Sequence, residues 1–339
     1  MKSVWWAVTL SCLLLSSCDR SKKTPDVSQI QVKLTFHRFD KAFFKLDTTQ
    51  LTLGLQKLAD RFPDFYAPFM QGMLEVSGDP ADSTTIKVTK EFLNFHRSLY
   101  DSLLIQFNDT QKIEEEFLTS FKYLHYYFPN YRADNITFFM GPFFAPGVAI
   151  IENGTAVGLH QYGGADFFVY QTPELQMEYP TYLSRRFAAP YMVPNAMKGI
   201  IQDLFPPQQA DLPLLQQMVE KGKYWYLASL LLPNHPDTLI TGYTKKQLDW
   251  CTQNEGLIWS HLLKNEDLNS INPMIIRNYL DEAPFTQGLP RDYSPGNLGS
   301  WIGWQIVKKY AALHPNLSPE ALMRTTPSAI LEKAKYKPK

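Results

Sequence analysis

The sequence predicts an α+β fold, and three observations support this. Short β-rich runs cluster between residues 135 and 159. Helical periodicity dominates the chain from about residue 191 to its end. Of the 339 residues, 45% are hydrophobic and 14% are aromatic, which is enough for a large core in one domain or in two closely joined ones. We therefore expect a small antiparallel sheet followed by a mainly helical C-terminal part.

The first third of the chain is predicted to hold one strand and then helices. Apolar and polar residues alternate from Val32 to Phe36, which favours a strand. Helical spacing covers Leu51–Arg61, Ser83–Tyr100 and Lys112–Phe128. The last of these helices opens with the acidic triplet 114–116, and acidic residues in a first turn favour the helix dipole. We interpret the triplet as a solvated helix start and not as a metal-binding cluster.

The middle of the chain predicts the sheet, and the remainder predicts helices. The β-rich runs are Asn135–Phe139, Gly147–Ile151 and Thr155–Leu159, and Asn153-Gly154 is typical of a hairpin between the last two. The helices predicted after the sheet are Tyr191–Phe205, Leu212–Leu231 (which Gly222 could interrupt), Thr244–Lys264, Asn272–Asp281, Leu298–Leu313 and a last one from Pro319 onward.

A glycine-rich stretch from Ser294 to Tyr310 raises the alternatives of phosphate binding and close packing. Its glycines, Gly296, Gly299 and Gly303, have the spacing G-x-x-G-x-x-x-G. A dinucleotide-binding loop needs G-x-G-x-x-G directly after a strand, and a P-loop needs a following Lys-Ser/Thr pair. Neither pattern is present. We therefore expect these glycines to let a neighbouring helix or strand approach closely.

The N-terminus carries the most specific motif. A basic Met1-Lys2 precedes an apolar run, Val4–Leu15, that is too short to span a bilayer comfortably. The run ends in a Leu-Ser-Ser-Cys lipobox at 15–18. This predicts a signal peptide at 1–17, a lipidated tether at 18–28 that starts with acylated Cys18, and a single globular domain at 29–339. The anchor would hold palmitate or similar chains in the membrane. An ordinary cleavable signal or an uncleaved anchor is the alternative.

Composition argues against nucleic acid as a partner, against a transmembrane helix and against an internal disulfide in the mature chain. Lys+Arg and Asp+Glu both number 33, so no overall charge favours nucleic acid. The sequence contains no second apolar run of about 20 residues, so no transmembrane helix is predicted. After cleavage and lipidation, Cys251 is the one cysteine left with a free thiol, so the predicted mature chain has no internal disulfide. We expect Cys251 to be a small buried hydrophobe and not a nucleophile.

The sequence contains no recognisable catalytic or metal-binding motif. No two of the seven histidines are four residues apart, no H-E-x-x-H or G-x-S-x-G occurs, and adjacent carboxylates such as Asp281-Glu282 are common at helix ends. The aromatic runs 138–144 and 224–226 are more typical of a core or a partner surface than of a ligand site. We therefore predict no catalytic residue, no metal and no cofactor.

Several landmarks distributed along the chain together resemble the gliding-motility lipoprotein family of Bacteroidetes, type B (GldB). The resemblance covers nearly the whole chain, including the lipobox, and its C-terminal third is the most specific part. It implies a cell-envelope lipoprotein that supports surface gliding and is linked with the secretion machinery. The landmarks are Arg38-Phe39-Asp40, a Lys221-Gly222-Lys223 turn, Gly242-Tyr243-Thr244, Trp250-Cys251, Asn254-Glu255 before Trp259, Ala283-Pro284-Phe285-Thr286, Ser294-Pro295-Gly296, Gly303 to Val307 and Lys335-Tyr336-Lys337-Pro338.

The C-terminal half is also similar, more faintly, to predicted zinc peptidases, which implies a zincin-like fold. Their zinc-binding helix corresponds to Met192–Pro207, which contains no histidine; its one acidic residue is Asp203, and Lys198 adds a positive charge. Lys221-Gly222 stands where the peptidases have Glu-Gly. Zn²⁺ needs lone-pair donors, and a lysine ammonium would repel it. The resemblance thus implies a peptidase-like fold without its metal chemistry.

These observations predict a non-enzymatic binding or structural lipoprotein of the cell envelope, on the periplasmic face or the surface. Its partners would be the membrane, through the lipid anchor, and proteins of the motility and secretion machinery. One alternative is a metal-dependent hydrolase, which would show histidines converging on one cleft. The other is a periplasmic ligand-binding lipoprotein, which would show a large pocket lined by the aromatic runs.

Overall fold

A computed structural model describes residues 24–207 and 212–338 and has the predicted α+β architecture. Its N-terminal part packs helices against the first strand of a small sheet. None of the helices in the described ranges is long and apolar enough to cross a membrane. The helices before the second strand are α1 (Phe39–Phe44), α2 (Leu51–Arg61), α3 (Pro63–Gly72), α4 (Ser83–Phe107) and α5 (Gln111–Tyr127).

The sheet contains β1 (Thr35–Arg38), β2 (Asn135–Phe139), β3 (Val148–Ile151) and β4 (Gly154–Gly158), in the spatial order β1-β2-β4-β3. The predicted hairpin is confirmed, because β3 and β4 pair antiparallel around a two-residue turn. The prediction of a purely antiparallel sheet is wrong, since β2 pairs parallel with both β1 and β4. Parallel neighbours need a long crossover, and the five helices between β1 and β2 provide it.

The first strand lies later in the chain than predicted. Alternation suggested Val32–Phe36, whereas β1 spans Thr35–Arg38. Its register is set by Thr35, which pairs with Asn135 and donates its N–H to the Asp134 carbonyl. The segment before it still contributes to the fold, because Ile30, Val32 and Leu34 pack against the hydrophobic core.

The C-terminal helices follow the predicted pattern in part: the helix predicted from Pro319 onward is two helices, a short helix at 237–241 was not predicted, and two further points differ. Gly222 does not interrupt α9, so 221–223 is helical and not a turn. The helix predicted over 244–264 is two helices, because Asn254 has non-helical backbone angles. Short 3-10 helices lie at 159–161, 168–171 and 189–191. The helices are α6 (Pro173–Glu178), α7 (Thr181–Ser184), α8 (Met192–Leu204), α9 (Leu214–Leu231), α10 (Asp237–Thr241), α11 (Lys245–Gln253), α12 (Glu255–Asn265), α13 (Pro273–Leu280), α14 (Leu298–Leu313), α15 (Pro319–Arg324) and α16 (Pro327–Ala334).

Helices α9 and α14 form the centre of the helical part, and their backbones touch. A Cβ atom added to Gly303 would lie 1.7 Å from the Met218 carbonyl oxygen, and one added to Gly222 would lie 2.2 Å from the Gly303 carbonyl carbon. Gly299 has the same role beside the Tyr279 carbonyl, at 2.9 Å. The close-packing interpretation of the glycine-rich stretch is therefore confirmed. This contact fixes the position of the α14 N-terminus relative to α9.

Candidate functional site

A small cavity lies where α8, α9 and the first turn of α14 meet. Its volume is about 170 Å³. We call it the lysine cavity, because its walls include one lysine from α8 and another from α9. The lining residues are Lys198, Ile201, Gln202, Pro207, Lys221, Tyr224, Trp225, Asn297 and Ser300.

Helix α8 supplies Lys198 from its half-buried side. The helix packs against β3, β4 and α9, and its apolar face is buried at Met197, Ile200 and Ile201. Lys198 Nζ donates to the Leu239 carbonyl oxygen, 3.3 Å away. Burial lowers the pKa of Lys198 to about 8, and the nearby Arg186 charge lowers this pKa further, whereas Glu282 opposes both effects. Glu282 itself is paired with Arg186 at 3.1 Å.

Helix α9 supplies the basic and aromatic wall. Lys221 and Trp225 are four residues apart and so lie on one helical face. The Tyr224 hydroxyl donates to the Phe205 carbonyl oxygen at 2.6 Å, and burial raises the pKa of Tyr224 to about 12. The Trp225 ring packs edge-to-face against Trp304, with centroids 6.0 Å apart. These contacts fix the aromatic rings, so the wall is preorganised.

The N-terminus of α14 closes the cavity. Asn297 is the N-cap residue and adopts a left-handed conformation with φ of 56°. Its carbonyl accepts a hydrogen bond from the Tyr243 hydroxyl at 3.0 Å, and its side-chain oxygen accepts one from the Ser300 hydroxyl. No side chain caps the first-turn N–H groups of α14. The helix therefore begins with donors that have no side-chain acceptor at the cap.

The predicted absence of a metal site stays a prediction. Across 24–207 and 212–338, no group of three or more His, Cys, Asp or Glu side chains could hold a metal ion. His160 is a fully buried core residue: its Nδ1 accepts the Gly141 N–H at 3.2 Å, and its Nε2 lies 3.2 Å from the Ala145 carbonyl oxygen. Burial lowers the pKa of His160 to about 4, so this ring is neutral at pH 7.

Three other features singled out in the sequence are Cys251, the first aromatic run and the N-terminal anchor. Cys251 is buried, and burial raises the pKa of its thiol well above the usual range, as expected for a small hydrophobe. Phe138 and Phe139 lie in the core, whereas Phe144 is exposed. Cys18 and the signal peptide at 1–17 lie outside the described residues.

Sequence reasoning found part of the cavity and missed the rest. It identified the positive charges of Lys198 and Lys221, and the structure brings both to one cavity. It assigned no site role to Gln202, Asn297 or Ser300, although the last two lie in the glycine-rich stretch. The one available signal was the glycine-rich stretch, since the tight α9–α14 contact carries Asn297 and Ser300 to the cavity wall.

Fold and site define a class of protein: an α+β domain with a small mixed sheet, a helical C-terminal part and a basic cavity. The sequence model of the family described as gliding motility protein GldB matches residues 20–338. The chain therefore belongs to this family of gliding-motility lipoproteins of the cell envelope, as its landmarks predicted. No curated protein and no solved structure matches the chain significantly. The similarity to zinc peptidases thus remains a prediction.

Proposed function

We propose that this chain is a non-enzymatic, lipid-anchored binding component of the envelope machinery for gliding and its associated secretion. Membership of the GldB family supports the gliding role. The lipobox ending in Cys18 supports the anchor. Protein partners within the motility and secretion machinery follow from this role, because a tethered domain of this kind acts through what it binds.

The observation that carries the non-enzymatic part is the chemistry of the lysine cavity. The resemblance to zinc peptidases assigns the metal to α8 and α9, where a zincin would present two histidines and a glutamate. Here these helices contribute Lys198 and Lys221 to the cavity, together with neutral side chains. Ammonium groups cannot ligate Zn²⁺ and disfavour its approach. The residues present therefore suit an anion and do not suit a metal-activated water.

Complementation tests the gliding role directly. The chain is expressed in a gliding bacterium whose own GldB family member has been deleted, and colony spreading and single-cell movement are measured. We expect the wild-type chain to restore movement and Cys18→Ala to restore much less, while crosslinking from native membranes recovers envelope proteins with the wild type. Normal gliding with an empty vector, or none with a well-expressed wild-type chain, would contradict the proposal.

Metal analysis and hydrolysis assays test the non-enzymatic part. We expect the purified chain to hold no stoichiometric zinc after dialysis, to be equally stable with and without chelator, and to cleave neither casein nor peptide libraries. A zinc ion needs three or four donors at about 2.0–2.3 Å. One zinc per chain that survives dialysis would overturn this part of the proposal and favour the hydrolase.

A further inference from the structure

We propose that the lysine cavity binds the phosphate group of a small soluble ligand. This inference does not depend on the gliding role, since it concerns the chemistry of one cavity. It rests on the cavity's two lysines, on the first turn of α14 and on the size of the enclosed space.

The two lysines lack a carboxylate partner among the described residues, although Lys198 donates to the Leu239 carbonyl oxygen. Lys223, on the same helix as Lys221, shows the contrast: it pairs with Glu220 at 2.8 Å and donates to the carbonyl oxygens of Met323 and Thr325. Neither Lys198 nor Lys221 forms an ion pair within the described part of the chain. None of the nine lining residues is acidic. The described lining thus supplies two basic side chains and no carboxylate, and a bound anion would provide the counter-charge.

The first turn of α14 adds to the same field. The N-terminus of a helix carries about half a positive charge, and its free N–H groups point outward. Asn297 does not cap them, because its side-chain oxygen already accepts the Ser300 hydroxyl hydrogen bond. The Ser300 N–H and hydroxyl both donate to Asn297, so the first turn contributes the positive end of the helix dipole at the cavity wall and not free donors of Ser300.

Charge and size together select a phosphate group. A phosphate monoester carries about −1.5 to −2 charges at pH 7, which matches two lysines and a helix N-terminus better than a single carboxylate does. Lysine binds phosphate well as a point charge. A volume of about 170 Å³ corresponds to five or six water molecules at roughly 30 Å³ each. It admits a phosphate and a few further atoms, which would lie against Trp225.

The position of Lys198 makes binding depend on pH. Its pKa is lowered to about 8, so in the free protein its charge is lost as the pH rises through that value. A bound dianion would raise this pKa, and binding therefore weakens above pH 8. The other ionisable groups near Lys198 are Arg186, Glu282, Asp203 beside the adjoining surface, Lys221 and Tyr224.

Titration calorimetry on the full-length chain in detergent tests the proposal. The probes are inorganic phosphate, glycerol 3-phosphate, sulfate and acetate at constant ionic strength. Sulfate serves for the pH series because its own charge does not change between pH 6 and 10. The variants are Lys198→Gln and Lys221→Gln, and Lys264→Gln on the exposed side of α12 is the matched control.

We expect saturable binding of one phosphate or glycerol 3-phosphate per chain and much weaker binding of acetate. Each cavity variant should weaken binding about tenfold or more, as for a lost charged hydrogen bond, and the control should not. Sulfate binding should fall above pH 8 in the wild type, and this fall should be lost in Lys198→Gln. Absent binding, equal binding of acetate, or unchanged binding by both folded cavity variants (checked by circular dichroism) would overturn the proposal.

Discussion

At the scale of single residues, His160 shows how burial fixes a protonation state. Both of its ring nitrogens contact backbone groups, so an added proton would break the contact in which Nδ1 accepts from Gly141. Its pKa is about 4 in the folded protein and 6.5 in the unfolded chain. The unfolded state therefore binds more protons than the folded state between these values, and stability falls as the pH drops from 6.5 to 4.

We predict that His160 removes about 3 kcal/mol of stability between pH 7 and pH 4, at 1.36 kcal/mol per unit of pKa difference. Urea unfolding of the wild type and of His160→Gln over this range measures the effect as the difference between their slopes. An NMR titration gives the pKa independently. A ring that titrates near pH 6.5 would contradict the prediction.

Lys198 has a pH dependence of the same sign in a higher pH window, because burial lowers its pKa too. Below pH 8 the folded protein must keep the Lys198 ammonium group charged in a half-buried position. Between pH 8 and 10.5 the unfolded chain still holds the Lys198 proton, whereas the folded chain has released it. Stability therefore rises with pH through that window. In a buffer free of phosphate and sulfate, we predict that Lys198→Met raises the free energy of unfolding by roughly 1–3 kcal/mol at pH 7.

The gain from Lys198→Met should shrink as the pH approaches 10.5. Lys264→Met, on an exposed position, serves as the control and should change stability little at any pH. Destabilisation by Lys198→Met at pH 7 would show that the lysine contributes more through packing than it costs through desolvation. A stability cost at a ligand-binding position is common, because such positions are shaped for the ligand.

At the scale of elements, the α9–α14 contact is the tightest in the fold, and it makes a quantitative prediction. A methyl group at Gly303 or Gly222 would overlap backbone atoms of the facing helix, which cannot rotate away as a side chain can. We predict that Gly303→Ala and Gly222→Ala each lower the free energy of unfolding by roughly 1–3 kcal/mol, and that Gly303→Leu lowers it further.

Gly72 provides the matched control for this substitution. It is the last residue of α3, and a Cβ added there would meet nothing within 4 Å. Gly72→Ala should therefore leave the urea midpoint unchanged or raise it, because alanine favours the helix. Equal midpoints for Gly303→Ala and Gly72→Ala would mean that the helices can separate without cost. The Gly222/Gly303 double variant should show strong non-additivity, since the two residues face each other.

The sequence predicts elements well where the signal is local. The limits of β2 and α14 were predicted to the residue, because strand alternation and helical spacing lie within each segment. Helix α1 was not predicted, because three phenylalanines and one alanine within six residues show no helical periodicity. Parallel pairing of β1 with β2 was missed for a different reason: it joins segments about 100 residues apart, and no local pattern encodes that choice.

The same limit applies to the lysine cavity. The charges of Lys198 and Lys221 can be read from the sequence, whereas their convergence on Asn297 and Ser300 depends on the packing of α9 against α14. The absence of histidine from α8 was visible in the sequence, and it pointed away from a zinc site. Only the three-dimensional arrangement shows that this helix instead contributes to a basic cavity.

At the scale of the whole molecule, the predicted lipid determines where the protein resides. We predict that Cys18→Ala moves the protein from the detergent phase to the aqueous phase and abolishes palmitate labelling, because the acyl chains supply the membrane affinity. Cys251→Ala is the control: this cysteine is buried, so its loss should leave partitioning unchanged. Membrane partitioning of Cys18→Ala equal to that of the wild type would contradict the lipobox interpretation.

The edge strand β1 has a mechanical consequence. If Cys18 holds the membrane, a pull between membrane and domain first loads the core-packed segment 27–34 and then β1, the first strand of the sheet. The β1–β2 hydrogen bonds run across the strands, so a pull along the chain must shear the four residue pairs of this ladder together instead of opening them one at a time. Directly behind them, Asp40 accepts two hydrogen bonds from Arg38 and one from Tyr100. The attachment point is thus built to carry tension.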